Sequence, residues 1–228
     1  MDNPHEIQKS ILKNLLVNKE LRFSGLNSTG ISSDRFTFHL KALVEQGIVR
    51  KDDNGLYRLT SQGKEYANRF DIDSQEMKIE RQAKVAVLVI ARDGDKYLVQ
   101  QRLKEPSYGY HGFVTGKIKW AETVLEAAGR ELMEETGLKG RLTLRGIEHK
   151  MDYSRDGVFL EDKFFNVVKA TGTCGKLIEA FGCGKNFWLT KKQITELPEI
   201  FDDVYQLMEI VDQNNFIFKE NKFFVQRY

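Results

Sequence analysis

The chain has 228 residues, of which 41% are hydrophobic and 30% charged, the balance of an ordinary globular protein with room for two modest domains. Its longest apolar run, residues 85 to 91, is too short to span a bilayer. The opening MDNPHEIQKS lacks the regions of a secretory signal, so a cytoplasmic protein with no membrane partner is expected. Net charge is +2, and residues 1 to 75 carry eleven basic and ten acidic side chains, so neither half is basic enough by itself to imply a polyanionic partner.

The pattern changes character near residue 75, which predicts two domains, 1–75 and 76–228. In the first, Ile7, Ile11, Leu12, Leu15 and Leu16 recur at helical spacing and predict a helix over residues 5 to 18. Residues 21 to 26 suit a short second helix, and Asn27-Ser28-Thr29-Gly30 a turn. Ser32 or Ser33 caps a third helix whose buried face is Phe36, Leu40, Leu43 and Val44, and Gly47 stops it. Residues 48 to 51 and 56 to 59 form a hairpin around Asn54-Gly55; Thr60 or Ser61 then caps a last helix to about Phe70. This order, with the stretch from Phe38 to Val49 (FHLKALVEQGIV), resembles winged helix-turn-helix regulators of the ArsR and MarR kind over residues 5 to 72. The resemblance implies that the third helix enters a DNA major groove with Arg35, Thr37, His39 and Lys41, while Arg50, Lys51 and Arg58 lie near phosphates. Winged helices also serve as dimerisation and protein-docking modules, and Asp34, Asp52 and Asp53 put negative charge where DNA would approach.

The second domain carries the chemistry. Residues 116 to 138 read GKIKWAETVLEAAGRELMEETGL. Residues 123 to 136 are a good helical stretch, with Leu125, Ala128, Leu132 and Met133 as a candidate buried stripe. Glu131, Glu134 and Glu135 stand at i, i+3 and i+4, which gathers three carboxylates on one helical face. Such charges repel unless neutralised, and an oxygen-only set favours Mg²⁺, or Mn²⁺, over zinc. A row of glutamates alone is more often a solvated face. Here Gly116, Glu122, Arg130-Glu131-Leu132, Glu134-Glu135 and Gly137-Leu138 match every position of the box of Nudix hydrolases, which this chain resembles over residues 80 to 212. The resemblance implies an α+β fold, an α/β/α sandwich with a mixed sheet preceded by the small winged-helix domain, in which the last helix covers the sheet opposite the metal-binding helix. It implies hydrolysis of a diphosphate bridge in a nucleotide-type substrate, with ADP-ribose or a nucleotide sugar first and nucleoside triphosphates next. Glu131, Glu134, Glu135 and the Gly116 carbonyl are its implied metal ligands, Arg130 holds a glutamate, and Glu122 orients Arg130 or a metal-bound water. Two positions depart from the usual family pattern: Val114-Thr115 stand where Pro-Gly is common, and Ala121 stands where glycine precedes the first glutamate.

Around the box, residues 83 to 90 and 96 to 101 read as one hairpin, and residues 145 to 153 and 158 to 170 as a second. Residues 186 to 190 form a strand ending in a helix cap, with a helix from about Lys191. Glu179 is the candidate downstream base or extra ligand, with Glu161 and Asp162 as rivals. Arg102, Lys117 and Lys119 are candidates for phosphate oxygens, and Tyr108, Tyr110, Phe113 and Tyr153 for stacking a base or ribose. The aromatic tail, residues 216 to 218 and 223 to 225, is expected to pack against its own chain or a neighbour; a homodimer is expected, and double-stranded DNA is the candidate partner of the first domain. Cys174 and Cys183, with no histidine close by, are expected as free thiols. A regulator whose second domain senses a nucleotide is the competing reading.

Overall fold

The computed structural model describes residues 4–27, 30–70 and 81–226. It divides into two compact units, Met1–Arg81 and Gln82–Tyr228. The expected boundary after residue 75, and Ser28 and Thr29 of the expected turn, lie outside the described residues.

The first unit runs α1 (Glu6–Val17), β1 (Leu21–Arg22), α2 (Phe23–Leu26), α3 (Ser33–Glu45), β2 (Val49–Lys51), β3 (Leu56–Leu59) and α4 (Ser61–Ala67). A capping box between His5 and Gln8 starts α1, and Gly47, at φ 70°, provides the left-handed turn after α3. Thr60 caps α4 by accepting from the Gly63 amide. Ile11, Leu12, Phe36, Leu40 and Leu43 are buried in one core with Leu26 and Ile48. Two expectations are corrected. Residues 21 and 22 leave the helix and pair with Tyr57 and Leu56, so only one turn, α2, remains helical. Val44 is 37% exposed, because α3 directs its apolar stripe through Phe36, Leu40 and Leu43 instead.

The second unit holds β4 (Lys84–Asp93), β5 (Lys96–Arg102), β6 (His111–Gly112), β7 (Val114–Lys117), α5 (Val124–Thr136), β8 (Leu138–Ser154), β9 (Phe159–Gly175), β10 (Ala180–Phe181), β11 (Gly184–Thr190), α6 (Lys191–Thr195), α7 (Val204–Asp212) and β12 (Ile217–Val225). Nine of these strands make a mixed sheet with the path β10-β11-β5-β4-β9-β8-β12, where β6 joins β5 and β7 joins β4. β4 is apolar on both faces because both are covered. Val87, Val89 and Ala91 bury against Ala127, Ala128 and Leu132 of α5, whereas Ala86, Leu88 and Ile90 bury against Val204, Leu207, Met208 and Val211 of α7. The sheet is therefore sandwiched between α5 and α7.

The expected first hairpin is mostly undone. β4 pairs with β5 only at Arg92–Tyr97 and Asp93–Lys96, because β7 takes the same edge of β4 from Ala86 to Val89. The second hairpin is longer than expected and antiparallel throughout. Leu125, expected in the buried stripe, is 45% exposed; Ala127 takes the place, since it faces the sheet together with Ala128 and Leu132. The aromatic tail becomes β12, parallel to β8. Gly146 admits it: a Cβ there would lie 2.2 Å from the Ile217 carbonyl oxygen. Cys174 and Cys183 are free thiols. Among the described residues no helix is long and apolar enough to cross a membrane.

Candidate active site

Local sequence holds the box segment in place from both ends. Thr123 and Glu126 form a capping box at the start of α5, and Gly137 closes it in the left-handed conformation at φ 72°. Between them Arg130 is the organiser. Its Nε and Nη2 donate to the two oxygens of Glu122 at 2.6 and 2.8 Å, the forked geometry only a guanidinium offers. Nη2 also donates to the Lys117 carbonyl at 3.0 Å, tying helix to loop. Nη1 donates to Glu131 at 2.6 Å and to Glu134 at 3.3 Å. The hydrogen bonds from Arg130 and then from the Lys119 amide hold the Glu122 carboxyl down at about 2, and the same carboxylates raise the pKa of Arg130.

Gly116 stands against Glu131 so closely that a Cβ would meet the Glu131 Cδ at 1.8 Å and its Oε1 at 2.0 Å. The glycine is needed for space, and it brings the backbone of β7 and the carboxylate together. Glu135 is enclosed differently. Gln100 Nε2 donates to its Oε2 at 3.0 Å and also to Asn186 Oδ1 at 3.2 Å, while Asn186 Nδ2 donates to the Glu135 carbonyl at 2.8 Å. Burial raises the pKa of Glu135, against the opposing hydrogen bond of Gln100, and the nearby Glu131 adds to the rise.

The three glutamates do not form the single cluster that their spacing suggests. Among the described residues no three His, Cys, Asp or Glu side chains stand together as a metal-binding group. Glu131 and Glu134 share Arg130, and Glu135 accepts from Gln100 instead. The donor set nevertheless suits a hard divalent ion. Glu131 and Glu135 both line one cavity beside Gly116, both offer oxygens, and Glu135 is half-buried with a neutral amide, Gln100, as its side-chain hydrogen-bond donor.

That cavity encloses about 610 Å³, within the range of sites for small-molecule ligands. Tyr110, Phe113, Phe165 and Phe201 supply apolar wall. Beyond them lies a group of charges that sequence reasoning missed, apart from Glu161. Lys150 donates to Asp203 at 2.7 Å, and its ammonium lies 5.1 Å from the Phe201 ring centroid. Glu161 pairs with Lys163 and with Lys84. Asp152 is 6% exposed, and its Oδ1 is buried with no hydrogen-bond partner. One signal was present: Glu148, Lys150 and Asp152 alternate along β8, a period of two that puts all three on one face of the sheet.

The remaining candidates divide. Lys117 and Arg102 line the cavity, but the Arg102 guanidinium is spent on the carbonyls of Lys104, Glu105 and Pro106, so it shapes the loop. Glu179 is exposed and does not line the cavity; its carbonyl accepts from the Asn186 amide as β10 turns back on β11, and its rival Glu161 holds the cavity position. Asp162 pairs with His149. Tyr153 stacks on Phe224 and lies against Phe159, outside the cavity lining, because it follows Asp152 in the strand and so takes the opposite face. Tyr108 is exposed, while Tyr110 and Phe113 are wall residues. In the first unit Arg35 and Lys41 of α3 are exposed, Thr37 and His39 half-buried, and the His39 ring is stacked on His5 at 4.2 Å. Arg58 is committed to Asp52 and Glu20 and is not a free phosphate contact.

Comparison with known proteins gives the family and the fold. The family model of the NUDIX domain matches residues 80–203. The mutator MutT protein from Bacillus halodurans is 24% identical over 62% of this chain and 90% of its own, with a TM-score of 0.53, which supports the fold. The MutT NUDIX hydrolase from Burkholderia pseudomallei is 23% identical, covering 57% of this chain and 99% of its own, with a TM-score of 0.49. The NUDIX domain of Shewanella oneidensis NrtR, solved as a complex with ADP ribose, is 20% identical over 68% of this chain and 97% of its own, again at 0.49. With the box residues interlocked on α5 and the family model spanning more than half of the sequence, the chain belongs to the Nudix family and is a pyrophosphohydrolase.

Proposed function

We propose that the second unit cleaves the diphosphate bridge of a nucleoside diphosphate derivative, ADP-ribose or a nucleotide sugar before nucleoside triphosphates, with Mg²⁺ or Mn²⁺ held by Glu131, Glu134, Glu135 and the Gly116 carbonyl. The observation that carries this reading is the interlock of Gly116 with Glu131, fixed by Arg130, at the mouth of a cavity that also contains Glu135. The ion, when bound, would neutralise charge on the phosphates and acidify water. One of these glutamates also takes the proton of the attacking water. Glu122 aims Arg130, and Arg130 aims Glu131. Lys117 reaches phosphate oxygens from the loop. Preference for a two-ended substrate follows from the cavity, which continues past the carboxylates along aromatic wall to the charges around Lys150 and Asp152.

The first unit is, on this reading, a winged helix that binds double-stranded DNA through α3, with Arg35 and Lys41 its exposed cations. The chain acts as a homodimer, in keeping with two-fold operator sites.

A Mg²⁺-dependent screen of ADP-ribose, nucleotide sugars and nucleoside triphosphates tests the enzymatic part, with Glu134→Gln and Glu131→Gln as controls. Turnover lost in the variants supports it. Turnover by none of these substrates, or turnover equal in the Glu131→Gln variant, would overturn it. Salt-sensitive retention of duplex DNA by the intact chain, reduced in Arg35→Ala/Lys41→Ala, tests the first unit.

A further inference from the structure

β12 closes one end of the sheet. Among the described residues it pairs with β8 alone, in one unbroken register from Ile217–Gly146 to Val225–Ser154. Its outer edge therefore presents unpaired N–H and C=O groups along a nine-residue strand. Edge strands are commonly blunted by shortness, proline or a bulge, and β12 has none of these. Its side chains alternate, so that Phe218, Glu220, Lys222 and Phe224 share the exposed face. Phe218 and Phe224 are 57% and 61% exposed, and Phe216 beside them is exposed as well.

We propose that β12 pairs antiparallel with β12 of a second copy of this chain, about a two-fold axis at Asn221, so that one sheet runs through both subunits. This deepens the homodimer reading above, on which it rests, by naming the surface. Full overlap of the nine residues leaves a single register, with the middle residue, Asn221, on the axis. In that register Glu220 of each copy faces Lys222 of the other, and Phe218 faces Phe224, each pair occurring twice. On the opposite face Ile217 meets Val225. Only Lys219 and Phe223 meet without matched chemistry. Charges placed merely to repel another edge would not need opposite signs at mirror positions; a second lysine would serve better. Both charges stay open to solvent and to a second strand: Glu220 accepts from His149 on Oε2 at 2.7 Å yet its side chain is 55% exposed, and the Lys222 ammonium lies over the Tyr153 ring at 5.8 Å.

The experiment is sedimentation velocity on the intact chain across a concentration series, together with amide hydrogen exchange of residues 217 to 225. A wild-type dimer is expected whose β12 amides gain protection as concentration rises. Lys222→Glu sets carboxylate against carboxylate on both sides of the axis and is expected to weaken association about tenfold or more. Glu220→Lys/Lys222→Glu restores the complementary pairs and is expected to restore the dimer. Exchange in the wild type needs no variant to fold. A monomer at every concentration overturns both the surface and the homodimer reading. A dimer indifferent to Lys222→Glu, lost in both variants, or lacking β12 protection keeps the homodimer but overturns this surface.

Discussion

Replacing Gly116 with alanine should damage catalysis far more than folding. The added Cβ would sit 1.8 Å from the Glu131 Cδ, whereas ordinary contact begins at 3.4 Å. The carboxylate must therefore retreat by about 1.6 Å, since carbon atoms do not approach more closely without steep repulsion. The atoms struck belong to a flexible side chain, so the loop backbone can stay. The retreat gives up the 2.6 Å bond from Arg130, a charge-assisted bond worth about 1.5–3 kcal/mol. Arg130 keeps its fork on Glu122, and Glu131 regains water at the cavity mouth, so the net loss is put at about 1 kcal/mol, roughly 2–4 °C in melting temperature. A reacting group misplaced by about 1 Å loses on the order of 100-fold in rate, and at least that loss of kcat/KM is expected. Steady-state hydrolysis with Mg²⁺ and thermal unfolding of the same samples separate the two effects. Activity within about threefold of wild type would refute the reasoning, because Glu131 would then have no required position against the loop.

Three further outcomes follow from the same structure. Arg130→Lys keeps the charge and loses the fork to Glu122, and should lower activity by roughly 10- to 100-fold with the fold intact by circular dichroism; unchanged kinetics would show the fork to be dispensable. Ala121 stands at φ 63°, a left-handed conformation costly for any residue with a Cβ, so Ala121→Gly should stabilise the second unit by about 0.5–1 kcal/mol, seen as a higher melting temperature; a lower one contradicts the strain. Burial, then the proximity of Asp203, pushes the Glu148 carboxyl up to about 9. An acid whose folded pKa lies above its unfolded value holds its proton only in the folded state, so stability falls as pH rises from the ordinary carboxylate range towards 9. Glu148→Gln removes that dependence and should raise stability at pH 8 relative to wild type, with little change at pH 4; chemical denaturation at both values checks it.

The box was legible because one short segment carries it and most of its charged residues fall on α5. Helical spacing puts Arg130 within reach of Glu134, and Gly137 announces its own conformation. Residues brought in by the sheet were not. Lys84 meets Glu161, 77 positions away, only because β4 and β9 run parallel, and no local pattern foretells that pairing. The placement of Glu179 and Glu161 was hidden for the same reason: Glu161 lines the cavity, whereas Glu179 lies just before β10 and outside its lining. Tyr153 and Asp152 are neighbours in sequence, and strand alternation alone puts one on the cavity and the other beside Phe224, but which of the two faces the cavity is decided by the sheet. The alternating Glu148, Lys150 and Asp152 carried no signal of burial, since alternation alone does not say which face of the sheet α7 covers. In the first unit, helix order and the turn at Gly47 were readable, while Arg58 is drawn to Asp52 by the hairpin it flanks.

The metal-ligand assignment at the centre of this account is tested most directly by following free Mn²⁺ with electron paramagnetic resonance as protein is added. Wild type is expected to remove the free-ion signal, with Mg²⁺ competing, and Glu131→Gln and Glu135→Gln to leave it largely intact while retaining the native circular dichroism spectrum. Equal Mn²⁺ binding by wild type and both variants would contradict the assignment of these two carboxylates as ligands.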